Sequence, residues 1–370
     1  MPVGVDGSRL EVCADRACAT VLQQVDFAGS VSSGTAPTGL SPATHVYFWR
    51  MAGRIGTTSW TAFSPTWSFS VRQASSTTNS SWGAQTDLDL DGFADISVGA
   101  PGAVAVYLYR GGSAGPSAQV WATLSGAAGS SFGSSVASAG DVNGDGYPEL
   151  IVGAPGNDSA FLFAGTATGV AGSPLLTLAG VRGSGFGSSV AGAGDLNGDG
   201  FADVVIGAPA SSTAFVYLGS ATGLASTAAV SMSRPSGDFG HVVQGAGDVN
   251  ADGYGDLVVG WPGGASVALY LGTASGPSPT VSATLSGPPG SNFGIAISPG
   301  CDTIGTDNGA SDGYTDVAIG SPSSNQVFIY AGGPAGLSAL PSATLVPSVV
   351  IGACRPSLPV DFGSAVDCVG

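Results

Sequence analysis

One motif recurs five times along the 370-residue chain, and any fold must accommodate it. The copies are DLDLDGFADISVGAP (87–101), DVNGDGYPELIVGAP (141–155), DLNGDGFADVVIGAP (195–209), DVNADGYGDLVVGWP (248–262) and the longer DTIGTDNGASDGYTDVAIGSP (302–322). The matching acids Asp95, Glu149, Asp203, Asp256 and Asp316 lie 54, 54, 53 and 60 residues apart. That period is too short for an independent domain yet long enough for several strands, so each unit must bury its apolar face against its neighbours.

Within a unit, four apolar β-rich runs can be read, for example 132–140, 149–155, 159–165 and 174–180, separated by Gly, Pro or Asn. The third run recurs as AVAVYLY (103–109), TAFVYLG (213–219), SVALYLG (266–272) and QVFIYAG (326–332), with the alternation a two-faced strand requires. Four-stranded meanders repeated in series predict an all-β chain folded as a β-propeller of four-stranded blades. Solenoid coils have shorter periods, and sandwiches need more strands than one unit supplies. Composition agrees, because 61 Gly and 23 Pro suit short strands and tight turns, not long helices.

Each regular loop reads Asp, any, Asp or Asn, any, Asp, Gly, any, any, Asp or Glu. Side-chain oxygens fall at positions one, three, five and nine, and position seven offers its carbonyl. The expected ligands are Asp87, Asp89, Asp91, Phe93 and Asp95; Asp141, Asn143, Asp145, Tyr147 and Glu149; Asp195, Asn197, Asp199, Phe201 and Asp203; and Asp248, Asn250, Asp252, Tyr254 and Asp256. In the fifth loop an insertion leaves Asp302 first, either Asp307 or Asn308 third, and Asp312, Tyr314 and Asp316 in register. Position six is Gly throughout, where a sharp turn calls for a left-handed backbone. Hard oxygens with a main-chain carbonyl and water suit Ca2+, one ion per loop. An EF-hand would need flanking helices and Glu at position twelve, where the regular loops carry Val98, Val152, Ile206 and Val259. The alternative of plain Asx turns would not require an acid at position nine.

Charge placement supports cation sites. The chain carries 25 acidic residues against nine basic ones, for a net charge of -16, and 17 of the acids fall in the five loops. Such clusters repel unless cations neutralise them. The same balance excludes nucleic acid as a partner. No apolar stretch reaches membrane-spanning length, and no signal peptide is visible.

Phe-Gly pairs at 132–133, 186–187, 239–240, 293–294 and 362–363 precede a strand, an Asp loop and Gly-Ala-Pro. This combination resembles the FG-GAP repeat found in integrin α-subunit heads, over about residues 82–370. Departures are Trp82-Gly83 for Phe-Gly, Trp261 in Gly-Trp-Pro and Ser321 in Gly-Ser-Pro. The resemblance implies calcium loops between the first and second strands of each blade, usually seven blades, and an extracellular or cell-surface role in adhesion. It places a protein or glycan partner on the face opposite the loops, where Trp261, Asn157 and Asp158 are candidates. The Phe-Gly residues themselves are expected to be core.

Residues 1–72 lack Asp loops. SRLEVCADRACATVLQQV (8–25), THVYFWRMAGR (44–54) and SPTWSFSV (64–71) read as strands resembling part of a fibronectin type III-like sandwich, with 73–81 as a linker. Cys13 and Cys18 either close a hairpin as a disulfide or remain two buried thiols. Five cysteines in all leave at least one unpaired.

Only His45 and His241 are available as imidazoles, and no nucleophile–base signature is present, so a binding module is expected in preference to an enzyme. The alternative is a non-catalytic accessory module of a larger secreted enzyme. The last repeat breaks off at FGSAVDCVG (362–370). Either this strand closes a five-bladed ring beside the first blade or the chain is a piece of a larger ring, and the broken motif favours the second.

Overall fold

The computed structural model describes residues 7–13, 18–28, 46–54, 60–61, 63, 67–70, 87–91, 93–234, 238–301, 313–347 and 361–366. Strands β1 (Gly7–Cys13), β2 (Val21–Ala28), β3 (Val46–Arg54) and β4 (Trp67–Ser70) form one antiparallel sheet in the order β2-β1-β3-β4. Register here is marked by charge. Arg9 faces Asp26 across β1–β2 with a two-pronged contact of 2.7 and 2.8 Å, and Arg50 donates to Glu11 across β1–β3 at 2.8 and 3.0 Å. Cys13 and Cys18 are joined as a disulfide that closes the β1–β2 connection, and Cys301 is disulfide-bonded as well.

The repeats fold as successive antiparallel meanders. The first comprises β5 (Ile96–Ala100), β6 (Ala105–Tyr109) and β7 (Ala122–Ser125); its expected Trp82-Gly83 lies outside the described residues. The second has β8 (Ser135–Gly140), β9 (Glu149–Ala154) and β10 (Ser159–Phe163), then a small hairpin of β11 (Gly165–Thr166) and β12 (Gly169–Val170), and β13 (Leu176–Ala179). The third has β14 (Ser189–Gly194), β15 (Asp203–Ala208), β16 (Thr213–Tyr217) and β17 (Val230–Ser233). The fourth has β18 (Val242–Gly247), β19 (Asp256–Trp261), β20 (Ser266–Tyr270) and β21 (Ala283–Ser286). The fifth retains β22 (Val317–Ser321), β23 (Gln326–Tyr330) and β24 (Ala343–Leu345). Its first strand is reduced to bridges at Ile297–Ile319 and Cys301–Asp316.

The core lies between blades. Phe186 joins Ile151, Leu162 and Leu178 of the second blade to Val204, Ile206 and Tyr217 of the third. Equivalent layers surround Phe132, Phe239 and Phe293. Each of these phenylalanines meets an aromatic ring on the third strand of its own blade, as Phe132 does with Phe163 and Phe293 with Tyr330.

The glycines of the two motif halves touch one another. A Cβ added to Gly99, Gly153, Gly207, Gly260 or Gly320 would strike the carbonyl oxygen of Gly133, Gly187, Gly240, Gly294 or Gly363 in the next Phe-Gly pair. Backbone therefore packs on backbone at every such junction. The partner glycine is left-handed, as at Gly187 with φ 88°, which aims its carbonyl at the neighbouring strand. Phe362-Gly363 docks on the fifth blade in the same manner, with Phe362 N–H donating to Asn325 Oδ1 at 3.3 Å.

Asp158, expected as an exposed candidate on the partner face, is buried and committed to this junction. Its carboxylate accepts from Gly183 N–H (2.7 Å), Gly185 N–H (2.7 Å) and Ser184 Oγ (3.3 Å), latching the second blade to the segment that enters the third. Burial pushes its pKa up, but the backbone donors outweigh that and hold it below the ordinary aspartate value. Asp158→Ala should cost about 2–3 kcal/mol in chemical denaturation, because it leaves several donors without partners. A loss below about 0.5 kcal/mol would show that the latch is dispensable.

Candidate metal centre

The loops are aimed by bulges at the ends of the first strands. Register slips between Ser138 and Gly140, Gly192 and Gly194, and Gly245 and Gly247, turning the chain out of the ladder just before position one. The second strand then begins at position nine. Because β9 runs from Glu149 to Ala154, the Asp loop and the Pro155–Asn157 turn lie at opposite ends of the blade.

Position one organises each loop. In the third, Asp195 Oδ1 accepts from Gly198 N–H (2.5 Å) and Asp199 N–H (3.1 Å), while Oδ2 accepts from Gly200 N–H (3.0 Å). Asp141 and Asp248 make corresponding contacts in loops two and four. Position three is fixed by its amide. Asn143, Asn197 and Asn250 donate to Asp145, Asp199 and Asp252 at 3.1, 2.9 and 3.0 Å. Gly146, Gly200, Gly253 and Gly313 at position six have φ between 85° and 94°. The left-handed turn extends to position four as well, where Leu90 and Ala251 accept φ of 59° and 55°, a feature signalled only by the glycines at 144 and 198.

Position nine reaches inward. Asp203 Oδ2 accepts from Leu196 N–H (2.8 Å) and Oδ1 from Gly219 N–H (2.9 Å) just beyond the third strand. Asp95 uses Leu88 and Gly111, and Asp256 uses Val249 and Gly272. Glu149, Asp203 and Asp256 are fully buried, and desolvation outweighs these donors. Burial raises Asp95 to about 6, Glu149 to about 8, Asp203 to about 8 and Asp256 to about 7. The position-one acids Asp141 and Asp248 are raised for the same reason.

In the first loop, ligand oxygens of Asp87, Asp89 and Asp95 lie within 4.8 Å of one another, all three residues being buried. Asp91 Oδ1 accepts from Phe93 N–H at 2.9 Å. In the fifth loop Asp316 is buried and takes Gly332 N–H at 3.0 Å; Asp302 and Asp312 lie outside the described residues. Oxygen-only donor sets with buried carboxylates fit a hard divalent cation.

Loops two to five are stitched together. Ala202, Gly255 and Thr315 N–H at position eight donate to the carbonyls of Asp141, Asp195 and Asp248 in the preceding loops, at 2.9, 2.8 and 3.2 Å. Ser220, Thr273 and Gly333 reach the position-two carbonyls of Val142, Leu196 and Val249 at 3.0, 3.2 and 2.9 Å. Sequence reasoning missed this chain of bonds, since they join positions more than 50 residues apart.

On the opposite face, Trp261 is half-buried over Gly264, with its indole Nε1 buried and unpaired and Arg234 5.9 Å above the ring. Asn157 is exposed on the corresponding turn of the second blade. His241 is exposed, with Nδ1 3.6 Å from Asp238 Oδ2, and stands apart from the Asp loops at the other end of the first strand. Among the described residues no helix is long and apolar enough to cross a membrane.

Comparison with known proteins follows the same units. The FG-GAP-like repeat family matches residues 87–152, 141–206 and 195–259. The chain is 38% identical over 150 residues to integrin alpha-7 of Rattus norvegicus, covering 35% of this chain and 13% of that protein. It is 38% identical over 136 residues to integrin alpha-6 of Homo sapiens, covering 34% and 12%. With integrin alpha-PS5 of Drosophila melanogaster it shares 35% over 163 residues, covering 39% and 16%. The chain thus spans only a small part of these relatives. A solved protein from Lactobacillus plantarum aligns over 98% of both chains at 11% identity and a TM-score of 0.49, a likeness too distant to carry an argument. Each matched segment runs from one Asp loop into the second strand of the following blade, so the chain carries an FG-GAP repeat domain of the integrin-α-like kind.

Proposed function

We propose that this chain is an extracellular, non-catalytic binding module in which calcium braces the propeller and the opposite face meets a protein or glycan partner. The observation that carries this is the row of oxygen-lined loops, buried at position nine and, from the second to the fifth, bonded one to the next along a single face. In each regular loop the side chains at one, three, five and nine would hold Ca2+ with the carbonyl at position seven, and Asp302, Asp312, Tyr314 and Asp316 would serve the fifth. The ion supplies positive charge where buried carboxylates otherwise repel. The Cys13–Cys18 disulfide supports an oxidising compartment. In this scheme residues 1–72 form a separate fibronectin III-like segment, 73–81 a linker and 82–370 the propeller.

The test is retention of the full chain on immobilised extracellular proteins and glycans, with calcium and with chelator. Binding is expected to require calcium. Trp261→Ala, which restores the residue found at the same place in Ala100, Ala154 and Ala208, should weaken binding at least several-fold. Calcium-independent binding, unchanged by Trp261→Ala and by Asn157→Ala, would reject this assignment.

A further inference from the structure

The first loop differs from its neighbours in two linked ways. At position three it has Asp89, where loops two to four have Asn143, Asn197 and Asn250. At the residue before the glycine that hydrogen-bonds position nine it has Arg110, where the other blades have Ala164, Leu218, Leu271 and Ala331. The two departures meet. Arg110 Nη2 lies 2.5 Å from Asp89 Oδ2, and the guanidinium is stacked 4.5 Å from the centre of the Trp121 ring. The Asp89 side chain is 3% exposed, so this pair sits at the edge of the loop interior, with only the arginine reaching solvent.

The chemistry of the exchange is balanced. An asparagine at position three is neutral and donates its amide to position five; an aspartate cannot donate and adds a charge. Arg110 supplies the opposing charge, its guanidinium meeting Asp89 Oδ2 rather than the position-five acid. We infer that Arg110 is a tethered cation that competes with calcium for Asp89, so that the first loop holds its shape without an ion and is the weakest calcium site of the propeller. This rests on the calcium reading above. An ion entering the loop must displace the guanidinium from Asp89 Oδ2 or bind through Oδ1 beside that positive charge, whereas no arginine stands at this place in the other blades.

The experiment titrates calcium into the full chain, wild type and Arg110→Leu, leucine being the residue already used at 218 and 271. Calorimetry reads all sites. Tryptophan-sensitised terbium emission, competed by calcium, reads the first loop through Trp121, and the part of the signal lost in Trp121→Phe identifies it. In the wild type this component should saturate at higher calcium than the remaining sites. Arg110→Leu should tighten it about tenfold and leave the others unchanged, the expected size for removing a partly exposed charge-assisted contact. Arg110→Gln, which keeps a donor without the charge, should act in the same direction and decides the matter if the leucine variant fails to fold. Unchanged or weaker binding at the first loop, with the others still filled, overturns the role of Arg110. Absence of calcium at every loop overturns the calcium reading, and this inference with it.

Discussion

Chelation at about pH 8 is expected to lower the melting midpoint of the full chain by on the order of 10 °C or more relative to saturating calcium. A single site filled at about 100 times its dissociation constant adds about 2.7 kcal/mol, and several loops contribute together. The effect should depend on pH. Burial holds Asp95, Glu149, Asp203 and Asp256 at about 6, 8, 8 and 7, above their ordinary values, so the folded, cation-free protein favours their neutral forms. The stability this gives is fully present below about pH 4 and is lost as pH rises through those folded values. Cation-free protein should therefore weaken from about pH 5 to 8, by a few kcal/mol per loop, while the calcium-induced shift grows across the same window. Asp158, with its lowered pKa, acts in the opposite sense only at more acidic pH. Coincident melts with calcium and chelator at about pH 8 would remove the basis for metal in these loops. A magnesium shift equal to that of calcium would contradict the choice of ion.

Gly207→Ala should destabilise the propeller by about 3 kcal/mol or more, although its backbone would tolerate alanine. The added methyl would strike the Gly240 carbonyl of the next blade, and a backbone atom cannot turn aside as a flexible side chain can. Blades three and four would have to separate, loosening the layer around Phe239, Val243 and Leu257. Gly172→Ala is the control, since nothing lies within 4 Å of a Cβ placed there. Equal denaturation midpoints for the two variants would show that the glycine contact does not set blade spacing.

Those two outcomes depend on different kinds of information. Strand positions were legible in the sequence because alternation and turn residues act over a few positions; the runs read at 149–155 and 159–165 contain β9 and β10. The Asp loops were legible too, since the acids at one, three and five all lie within one turn of chain. The left-handed Gly200 follows from the same local rule. Local rules could not reveal what occupies a side chain once the blades meet. Asp158 looked like a surface acid in its turn, yet its partners lie about 25 residues onward in the entry to the next blade. No local pattern pairs Arg110 with Asp89; the end of β6 brings the two together. The strongest motif showed the same division: the sequence alone determined that Phe-Gly and Gly-Ala-Pro recur with fixed spacing, but only the tertiary structure decided that their glycines touch across blades. That contact joins residues such as Gly153 and Gly187, and its reason is steric, because a missing Cβ has meaning only against the carbonyl that fills its place.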